Sequence, residues 1–523
     1  MKASQKKLKA IDLYSGIGGW SIGLKLNGID VDKSFEWWEP AVNTSNANLA
    51  KEDIPIDIRN YDFKKITQKI DIVVGSPPCT QFSYSNRGGS GDIDDGIIDL
   101  YKFFECVSIL KPRYWAMENV PRVKGVLENE INKGGQLYKF RKIIKEGFVE
   151  VIDFSEFGLP QKRKRCIASN ADLDLLNAYK EKLSKKSLGD VLKGLSGNTL
   201  VDVNYDISLG KSLVTDNEKE EVLNNIEERM NREMKTNHPV YNNMSFPEKL
   251  SSPARTITAT CTRVSRESLV VKRRNGFGRL SVRERGVIQG FPINYQFLGN
   301  SYSQKVKMIG NAIPPVFTYA LASAFLGISA QKFKPLETKK FASKSKQTSL
   351  KTKTDTAGNK FRPDRGFRFA MPSLRFKSGT SFELSNKNQS FKCRFFYGDS
   401  KNIKELQLDG ETYHFFSKRI SSKSLKIIEN KTKILNKITS HKLQQVWIGN
   451  EKGLSPFDMV DIADEVAVKI YDDLIDADVT ELIDEMGNFF QINLSQKLKD
   501  NIYRIYSGLI VCSYINHHFL YKN

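Results

Sequence analysis

Residues 71–79 read DIVVGSPPC, a short apolar run followed by a loop that carries two prolines and a cysteine. The run Asp71 to Gly75 predicts a buried strand, because it is rich in β-branched residues and is bounded by glycine and proline. Adjacent prolines fix two φ angles near about −65°, so the loop presents Cys79 in a restricted geometry. A thiol in this position is a candidate nucleophile, and a small buried hydrophobe is the alternative.

This strand lies in a repeating pattern of strands and helices. Helical segments such as Ile97 to Leu110, which has one apolar face, separate the strand-like runs, and this alternation predicts an α/β protein with a doubly wound sheet. The other strand-like runs are Ala10 to Tyr14, Ser34 to Trp38, Ile54 to Ile58 and Tyr114 to Met117. Ligands of such sheets bind at the carboxyl ends of the strands. The polar or reactive residues predicted there are Tyr14, Glu36, Cys79 and Glu118.

The composition indicates a globular protein with a polyanionic partner. The chain has 523 residues, 40% of them hydrophobic, and a formal net charge of +21. Lysines and arginines that neutralise phosphates gain affinity through counterion release, so nucleic acid is the favoured partner. A generally lysine-rich composition is the alternative explanation of the charge.

The sequence also argues against several protein classes. We see no run of about 18 apolar residues and no signal-peptide pattern, so we expect a cytoplasmic protein with no membrane partner. The six cysteines are far apart and form no CxxC pair, which argues against a disulfide framework and a metal site.

Changes in composition divide the chain into five predicted parts. Lys332 to Lys360 holds nine lysines and reads as a flexible basic linker. The segment after about residue 175 is polar, and its acidic runs at 218–221 and 227–229 predict a solvated helix. The predicted parts are a first α/β domain at 1–175, a polar module at 176–275, a return to the first domain at 276–330, the linker at 331–362, and an α+β C-terminal domain at 363–523. That last domain is strand-rich at Phe391 to Tyr397 and helical at Val460 to Ile483.

A glycine-rich turn follows the first strand. Residues 12–20 read DLYSGIGGW, and glycines there allow the backbone to approach a ligand at a helix N-terminus. Glu36 can accept hydrogen bonds from ribose hydroxyls, and Trp37 offers a stacking surface for adenine. These residues suit a nucleoside, although a plain tight turn has the same glycines.

Two further motifs place charged residues at the edge of the predicted sheet where the strands have their carboxyl ends. Glu118 begins ENV at residues 118–120, where a carboxylate can exchange a proton with a base nitrogen; capping of the next helix is the alternative. Residues 161–165 read QKRKR and set Arg163 and Arg165 on one face of an extended segment. Two such guanidinium groups suit an anionic strand or an active-site wall, and a solvated basic turn is the alternative.

Taken together and in this order, these motifs resemble those of the DNA (cytosine-5) methyltransferase family. The matching motifs are the glycine-rich turn at 12–20, PPC at 77–79, ENV at 118–120, QKRKR at 161–165, RLSVRE at 279–284 with GFP at 290–292, and GNAIPP at 310–315. The resemblance covers residues 8–326 and implies a Rossmann-like sheet that binds S-adenosyl-L-methionine, with a small recognition domain. It implies that the part at 1–175 is the catalytic domain and that the part at 176–275 is the target recognition region.

The resemblance also implies the reaction and its residues. Cys79 is expected to attack C6 of a cytosine flipped out of double-stranded DNA, Glu118 to hold N3, and Arg163 and Arg165 to support the base. The implied cofactor-binding residues are Asp12, Tyr14, Gly16, Gly18, Gly19, Glu36, Trp37, Asp57, Ile58, Pro77 and Asn311. We expect a monomer that belongs to a restriction-modification system.

One position departs from the family pattern. The family usually has Gln directly after the nucleophile, whereas here Thr80 follows and Gln81 comes next, which puts a Gln-mediated contact with the flipped base in doubt. The candidates for DNA contacts in the recognition region are Asn237, His238, Arg255, Thr256 and Arg263, with surface or packing roles as the alternative.

Two alternatives stay open. A related branch of the family methylates transfer RNA, but it carries a Cys-Phe-Thr signature that we do not find here. The C-terminal domain offers acids among its strand-like runs, which raises the hypothesis of a fused nuclease; an interaction or additional DNA-contacting domain is the other reading. The acids in question are Asp364, Glu383, Asp399 and Glu405.

Overall fold

A computed structural model describes residues 7–82, 92–237, 244–341, 361–376, 379–398 and 402–521. The chain divides into two compact units. The first unit comprises Met1–Val222, Pro247–Arg263 and Glu267–Thr356. The second unit comprises Leu223–Phe246, Val264–Arg266 and Ala357–Asn523.

The first unit is built on a six-stranded sheet in the order β2-β1-β3-β4-β6-β5. Its strands are β1 (Lys9–Leu13), β2 (Asp30–Phe35), β3 (Ile72–Gly75), β4 (Tyr114–Asn119), β5 (Phe148–Asp153) and β6 (Lys164–Ser169). Strands β1 to β4 are parallel, and β6 runs antiparallel to both β4 and β5. The predicted α/β sheet is therefore confirmed in a mixed form. Two short antiparallel pairs complete the strands of this unit, β7 (Thr199–Val201) with β8 (Ser208–Gly210) and β9 (Val270–Arg273) with β10 (Gly276–Arg279).

Helices cover this sheet and fill the rest of the unit. The helices of the first unit are α1 (Gly19–Leu26), α2 (Glu39–Leu49), α3 (Ile93–Leu110), α4 (Val123–Glu130), α5 (Arg141–Lys145), α6 (Leu173–Ala178), α7 (Leu188–Gly194), α9 (Val282–Ile288), α10 (Tyr302–Asn311) and α11 (Pro315–Phe325). The intervening helix α8 (Asn225–Thr236) belongs to the second unit. Helix α1 packs tightly on α11, because a Cβ at Gly23 would lie 2.2 Å from Thr318 Oγ1. The helix that follows the glycine-rich turn is thus packed against the helix that follows GNAIPP.

The stretch Tyr302–Phe325 is long and apolar enough to cross a membrane, with a mean hydropathy of 1.2 over its most apolar window. That window is 94% buried inside the protein. It therefore serves as core, in keeping with the buried aromatic and aliphatic side chains of α11.

Two predicted elements of the first unit are wrong. Ile54 to Ile58 is irregular and leads into a 3-10 helix, Ile58–Asn60, with Ile54 69% exposed. Pro55 has no backbone N–H to donate to a neighbouring strand, which explains why no strand forms here. The acidic run at 218–221 is irregular rather than helical, and Glu220 is buried in an ion pair with Arg279.

The second predicted strand is shifted toward the N-terminus. β2 ends at Phe35, so Glu36 and Trp37 lie on the loop that follows it instead of inside the strand. The predicted linker also differs from the structure, since Phe333, Leu336 and Phe341 are buried in the core of the first unit. The rest of that linker, residues 342–360, lies outside the described residues.

The second unit packs helices against a four-stranded antiparallel sheet in the order β11-β12-β13-β14. The strands are β11 (Arg368–Arg375), β12 (Ser381–Ser385), β13 (Lys392–Gly398) and β14 (Ile403–Leu406). The helices after α8 are α12 (Gly410–Phe416), α13 (Ser422–Thr432), α14 (Ser440–Trp447), α15 (Pro456–Ile470), α16 (Val479–Phe490), α17 (Gln496–Lys499) and α18 (Ile502–Ile515). The predicted strand at 391–397 corresponds to β13, whereas the predicted helix Val460 to Ile483 is interrupted between α15 and α16.

Helix α8 joins this second unit although it lies 120 or more residues before its strands in the chain. Met230 is buried in the unit's core, and Arg229 forms an ion pair with Asp461 of α15 at 2.6 Å. Arg375 of β11 donates to the carbonyl of Thr236 at the end of α8. The sequence predicted no such partnership between the recognition region and the C-terminal domain.

Candidate active site

The loop after β3 is held on both sides by hydrogen bonds. Trp20 Nε1 donates to Ser76 Oγ at 3.0 Å, and Asn119 Nδ2 at the end of β4 donates to the carbonyl of Pro77 at 3.0 Å. The N–H of Phe82 donates to the carbonyl of Cys79 at 3.0 Å, which closes a turn around the cysteine. Cys79 is half-buried on this loop. The prolines and these bonds together fix the position of the thiol.

An ion pair lies beside the thiol. Glu118 at the end of β4 is buried, and its Oε1 is 3.0 Å from Nε of Arg165, which comes from the neighbouring strand β6. β4 and β6 are antiparallel, so the end of one strand meets the beginning of the other and the two side chains share one edge. The carboxylate is thereby held in place by a charge-assisted hydrogen bond.

Opposing charges act on Cys79. Burial raises the pKa of the thiol, and the nearby Glu118 carboxylate raises it further, while Arg165 and Arg163 act in the lowering direction. The net shift is upward, so the resting thiol is protonated at neutral pH.

Arg163 lies beside the Glu118–Arg165 pair, but its hydrogen bonds go to backbone carbonyls. Its guanidinium donates to the carbonyls of Ile257, Gly310 and Ala312 at 3.2, 2.9 and 3.3 Å, and desolvation lowers its pKa to about 9. Within the described residues, Nε of this side chain has no hydrogen-bond partner. Arg163 therefore ties β6 to the segment that carries Asn311, while its edge borders the cleft.

The loop after β1 holds a second carboxylate. The N–H of Gly16 donates to Glu36 Oε2 at 2.9 Å, and that of Trp38 donates to Oε1 at 2.8 Å. Burial raises the pKa of Glu36, and these backbone N–H groups oppose that shift. Tyr14 and Gly16 have positive φ angles of 54° and 53°, which turn the loop so that its N–H groups meet the carboxylate.

Three predicted cofactor residues lie behind the cleft. Asp12 is buried in the core, accepts a hydrogen bond from Ser21 Oγ at 2.8 Å, and has its pKa raised by burial to about 7. Gly19 is needed for packing, since a Cβ there would lie 2.1 Å from the carbonyl oxygen of Ile313. A Cβ at Gly18 would lie 2.8 Å from Leu49 Cδ1. These three residues therefore support the glycine-rich loop from the side that faces the core.

One cleft brings the remaining predicted residues together. A cavity of about 300 Å³ is lined by residues from both ends of the site, including Tyr14, Gly16, Glu36, Trp37, Pro77, Cys79, Glu118, Arg163, Arg165 and Asn311. A neighbouring cavity of about 340 Å³ adds Asp57 and Ile58. The two share the walls formed by Tyr14, Glu36, Trp37, Pro78 and Thr80. The Trp37 side chain is 67% exposed there, as a stacking surface requires.

Sequence reasoning missed a network under the second cavity. Arg59 pairs with Asp95 at 2.8 Å and with Asp99 at 2.7 Å, and Tyr14 donates its hydroxyl proton to Asp99 Oδ1 at 3.1 Å. Gln81 joins the network by donating to Asp95 Oδ2 at 3.0 Å. The signal available was the spacing of Asp95 and Asp99, which places both carboxylates on one face of α3.

The candidate DNA contacts of the recognition region are engaged within the protein. Arg255 pairs with Glu248, and Arg263 donates to the carbonyls of Glu221 and Val222 at 3.1 and 3.0 Å. Thr256 Oγ1 donates to the carbonyl of Lys162, and Asn237 Nδ2 to Glu233. His238 lies outside the described residues. These contacts favour the packing alternative for the described members of the set.

The acids of the C-terminal domain are also used internally. Glu383 is buried and pairs with Arg368 at 2.7 Å, and burial raises its pKa to about 7. Glu405 pairs with Arg394, Asp364 lies in an exposed turn, and Asp399 is outside the described residues. Across the described part of the chain, no group of three or more His, Cys, Asp or Glu side chains is arranged to hold a metal ion.

The fold and the cleft define an α/β protein whose nucleoside-type pocket opens beside a cysteine and a carboxylate–guanidinium pair. Residues 8–326 match the model of the C-5 cytosine-specific DNA methylase family. The chain belongs to this family, and its activity class is that of a DNA cytosine-5 methyltransferase.

Parts of this chain are similar to known methyltransferases. The type II methyltransferase M.HindV of Haemophilus influenzae is 28% identical in an alignment of 344 positions that covers 62% of this chain and 98% of that protein. The type II methyltransferase M.NgoPII of Neisseria gonorrhoeae is 27% identical and covers 61% of this chain and 95% of its own length. The crystal structure of the S. pombe Dnmt2 methyltransferase aligns with a TM-score of 0.43 at 16% identity, over 61% of this chain and 99% of that one.

Proposed function

We propose that the protein transfers a methyl group from S-adenosyl-L-methionine to C5 of a cytosine in double-stranded DNA, through a covalent bond between Cys79 and the base. The observation that carries this proposal is the single cleft that holds the thiol, the Glu118–Arg165 pair and the walls of a nucleoside pocket. Type II methyltransferases among its relatives support a place in a restriction-modification system, acting on DNA in the cytoplasm.

The residues of the second cavity suit the cofactor. Each oxygen of Glu36 accepts one backbone hydrogen bond and retains a lone pair for a ribose hydroxyl. Trp37 and Tyr14 line both cavities and are proposed to flank adenine, Asp57 and Ile58 line the second cavity and are proposed to contact the adenine edge, and Asn311 lines the first cavity and is proposed to contact the methionine end. When bound, S-adenosyl-L-methionine supplies a methyl group on a sulfonium centre.

Cys79 makes the base reactive. Cytosine C5 is a poor nucleophile, and attack of the thiolate on C6 forms an S–C6 bond and shifts the C5–C6 electron pair toward C5. C5 would then bond to the methyl group as the S–CH3 bond of the sulfonium breaks, with the electron pair of that bond left on sulfur and a neutral thioether as the leaving group. Loss of the C5 proton to a base re-forms the C5–C6 double bond and expels the Cys79 thiolate, so the enzyme is regenerated. The half-buried loop presents the thiol to a base that enters the cleft.

Glu118 handles the proton on the base. As Cys79 attacks, negative charge develops on the ring, and a carboxyl group at N3 stabilises it by sharing a proton. Arg165 holds this carboxyl group at 3.0 Å and supplies positive charge beside it. Arg163 acts as a positioning residue, because its guanidinium is bonded to the backbone that carries Asn311.

Base flipping is required by the geometry of the duplex. C5 and C6 are stacked inside double-stranded DNA, so the cytosine must leave the helix at a cost of a few kcal/mol. Gln81 lines the second cavity, and its side chain is engaged there because it donates to Asp95 and accepts from the N–H of Asp92. We propose that Thr80, which lines both cavities, takes the place beside the flipped base where relatives have Gln.

The test is methyl transfer by the full-length protein. Purified protein is incubated with tritiated S-adenosyl-L-methionine and mixed-sequence duplex DNA, and the nucleosides are separated. We expect label in 5-methylcytosine, and its absence with Cys79→Ala. Label in N4-methylcytosine or N6-methyladenine, or transfer to transfer RNA in preference to DNA, would contradict the proposal. Intact DNA after incubation with magnesium would also exclude the nuclease hypothesis, which the described acids do not support.

A further inference from the structure

The loop that carries the cysteine is anchored to the beginning of α3. We call residues 76–82 the nucleophile loop. Near its end, Gln81 Nε2 donates to Asp95 Oδ2 at 3.0 Å, and Gln81 Oε1 accepts from the N–H of Asp92 at 3.0 Å. Cys79 comes two residues before Gln81 in the chain. A displacement of Gln81 would therefore displace the thiol.

The glycine-rich turn is anchored to the same helix, one turn further along. Tyr14 donates its hydroxyl proton to Asp99 Oδ1 at 3.1 Å. Asp95 and Asp99 are four residues apart in α3, so their side chains lie on one face of the helix. Two neighbouring carboxylates of α3 thus hold the nucleophile loop and the turn that follows β1.

Arg59 joins these two carboxylates. Its Nη1 donates to Asp95 Oδ1 at 2.8 Å, and its Nε and Nη2 donate to the two oxygens of Asp99 at 2.9 and 2.7 Å. The bond to Asp99 is bidentate, a geometry that a guanidinium group supplies and an ammonium group does not. A continuous path of hydrogen bonds therefore runs from Tyr14 through Asp99, Arg59 and Asp95 to Gln81.

This path follows the wall of the cleft. All five of its residues line the second cavity, and Tyr14 also lines the first cavity together with Cys79. The backbone N–H of Arg59 donates to Asp57 Oδ1 at 3.0 Å, and Asp57 is a further residue of the second cavity's wall. Arg59 thus contacts the parts of the wall that come from three separate segments of the chain.

A neighbouring lysine makes comparable contacts outside the cleft. Lys102 of α3 pairs with Glu105 at 2.8 Å and donates to the carbonyl of Tyr61 at 3.5 Å. It therefore joins the segment that contains Arg59 to α3, as Arg59 itself does. Lys102 lies outside the walls of both cavities, which makes it a matched control for a contact that only stabilises the fold.

We propose that Arg59 is a positioning residue for methyl transfer, which holds the nucleophile loop through Asp95 and Gln81 and holds Tyr14 through Asp99. One guanidinium group thereby fixes the thiol relative to the cofactor, and the rate of a reaction between oriented groups falls steeply when they are misplaced. The proposal rests on the proposed function in taking Cys79 and S-adenosyl-L-methionine as the reacting groups.

The test compares Arg59→Gln and Arg59→Lys with the control Lys102→Gln, and with Gln81→Ala and Tyr14→Phe at the two ends of the path. Each full-length variant is assayed for single-turnover methyl transfer to duplex DNA at saturating substrates, and for binding of S-adenosyl-L-methionine by calorimetry. Alkylation of Cys79 by iodoacetamide is followed without DNA. The double variant R59Q/Q81A completes a double-mutant cycle. Unfolding midpoints are compared so that a loss of folded protein is not taken for slower transfer.

We expect Arg59→Gln to slow single-turnover transfer by about 10- to 100-fold, to weaken cofactor binding by about fivefold and to speed alkylation of Cys79 by about threefold. Gln81→Ala should reproduce the slower transfer with nearly unchanged cofactor binding, and Tyr14→Phe should reproduce the weaker binding alone. R59Q/Q81A should be little slower than Arg59→Gln, because Gln81 acts through the carboxylate that Arg59 holds. Arg59→Lys should recover only part of the loss, since an ammonium group does not bridge both carboxylates in this geometry.

Lys102→Gln should match the wild type in transfer, binding and alkylation. Equal behaviour of Arg59→Gln and Lys102→Gln in all three assays would overturn the positioning role, as would full recovery by Arg59→Lys or additive effects in R59Q/Q81A. Faster alkylation and weaker cofactor binding in Arg59→Gln, with no methyl transfer to cytosine by the wild type, would contradict the proposed function and leave Arg59 as the residue that holds both walls.

Discussion

The two ends of the cleft are built by different means. At the nucleophile end, side chains of opposite charge surround Cys79, with Glu118 raising and Arg165 lowering the pKa of its thiol. At the cofactor end, backbone N–H groups of Gly16 and Trp38 hold Glu36. The first arrangement tunes reactivity, and the second fixes shape. Changes at the nucleophile end should therefore alter kcat, and changes at the cofactor end should alter KM for S-adenosyl-L-methionine.

The largest effect is expected from Cys79→Ala. Without the thiol no S–C6 bond forms, and methyl transfer should fall by about 10⁴-fold or more. The residue is half-buried on a loop, so the thermal unfolding midpoint should stay close to that of the wild type. Cys261→Ala, at another half-buried cysteine, is the matched control and should retain activity. Substantial methyl transfer by Cys79→Ala would remove the nucleophile from the mechanism.

Glu118→Gln should lower kcat by about 10²- to 10⁴-fold, because the amide has no acidic proton to share with N3 as negative charge develops on the ring. The same change should make Cys79 more reactive toward iodoacetamide. Loss of the Glu118 carboxylate lowers the pKa of the thiol, so more thiolate is present at a given pH. The alkylation rate at Cys79, followed by peptide mass spectrometry from pH 6 to 10, should rise at lower pH than in the wild type.

Arg165→Gln should shift the pKa of Cys79 in the opposite direction to Glu118→Gln. Removing this cation raises the pKa of Cys79, and alkylation should require a higher pH than in the wild type. Shifts of both variants in the same direction would contradict the view that opposing charges tune the thiol.

Substitutions of Arg163, which directly precedes β6, and of Arg165 within β6 should separate stability from catalysis. Arg163→Gln leaves carbonyls of Ile257, Gly310 and Ala312 without their donor, and we expect the free energy of unfolding to fall by about 3 kcal/mol. Arg165→Gln should cost about 1 kcal/mol while lowering kcat more than tenfold. Denaturant unfolding and single-turnover methyl transfer measure the two effects. Equal losses of stability in both variants would show that the arginines share one role.

The smallest effect is expected at the cofactor end. Trp37→Ala removes an exposed stacking surface and should raise KM for S-adenosyl-L-methionine about tenfold with little change in kcat. Ile54→Ala is the control, because Ile54 is 69% exposed and lies outside the walls of both cavities. A fall in kcat without a change in KM would erase the distinction between the two ends.

The sequence was sufficient to predict those parts of the candidate site that depend on the order of the strands. Parallel strands carry three of these residues at their carboxyl ends: Glu36 and Cys79 come after β2 and β3, and Glu118 lies near the end of β4. Their meeting at one edge of the sheet was therefore predictable from the alternating pattern. Arg165 joined them because β6 pairs antiparallel with β4. The motif order supplied the family, which the family model confirms over residues 8–326.

Contacts between distant segments were not predictable in this way. Arg163 bonds to carbonyls 94 and 147 residues away, so nothing near it in the sequence distinguishes it from Arg165. Helix α8 pairs with Asp461, 232 residues later, and its charged sequence looks like that of a solvated helix. Gly19 carries the family motif, but the carbonyl of Ile313 that requires it is remote in the chain.

Trapping of the bond between Cys79 and the base tests the central claim most directly. A duplex synthesised with 5-fluorodeoxycytidine in place of deoxycytidine is incubated with the protein and S-adenosyl-L-methionine, because fluorine at C5 cannot leave as a proton does and the final elimination is blocked. Mass spectrometry should find a stable adduct on the peptide that carries Cys79, with one methyl group added to the base, and none in Cys79→Ala. Methylation of ordinary DNA by a protein that forms no such adduct, or an adduct on another cysteine, would contradict the mechanism.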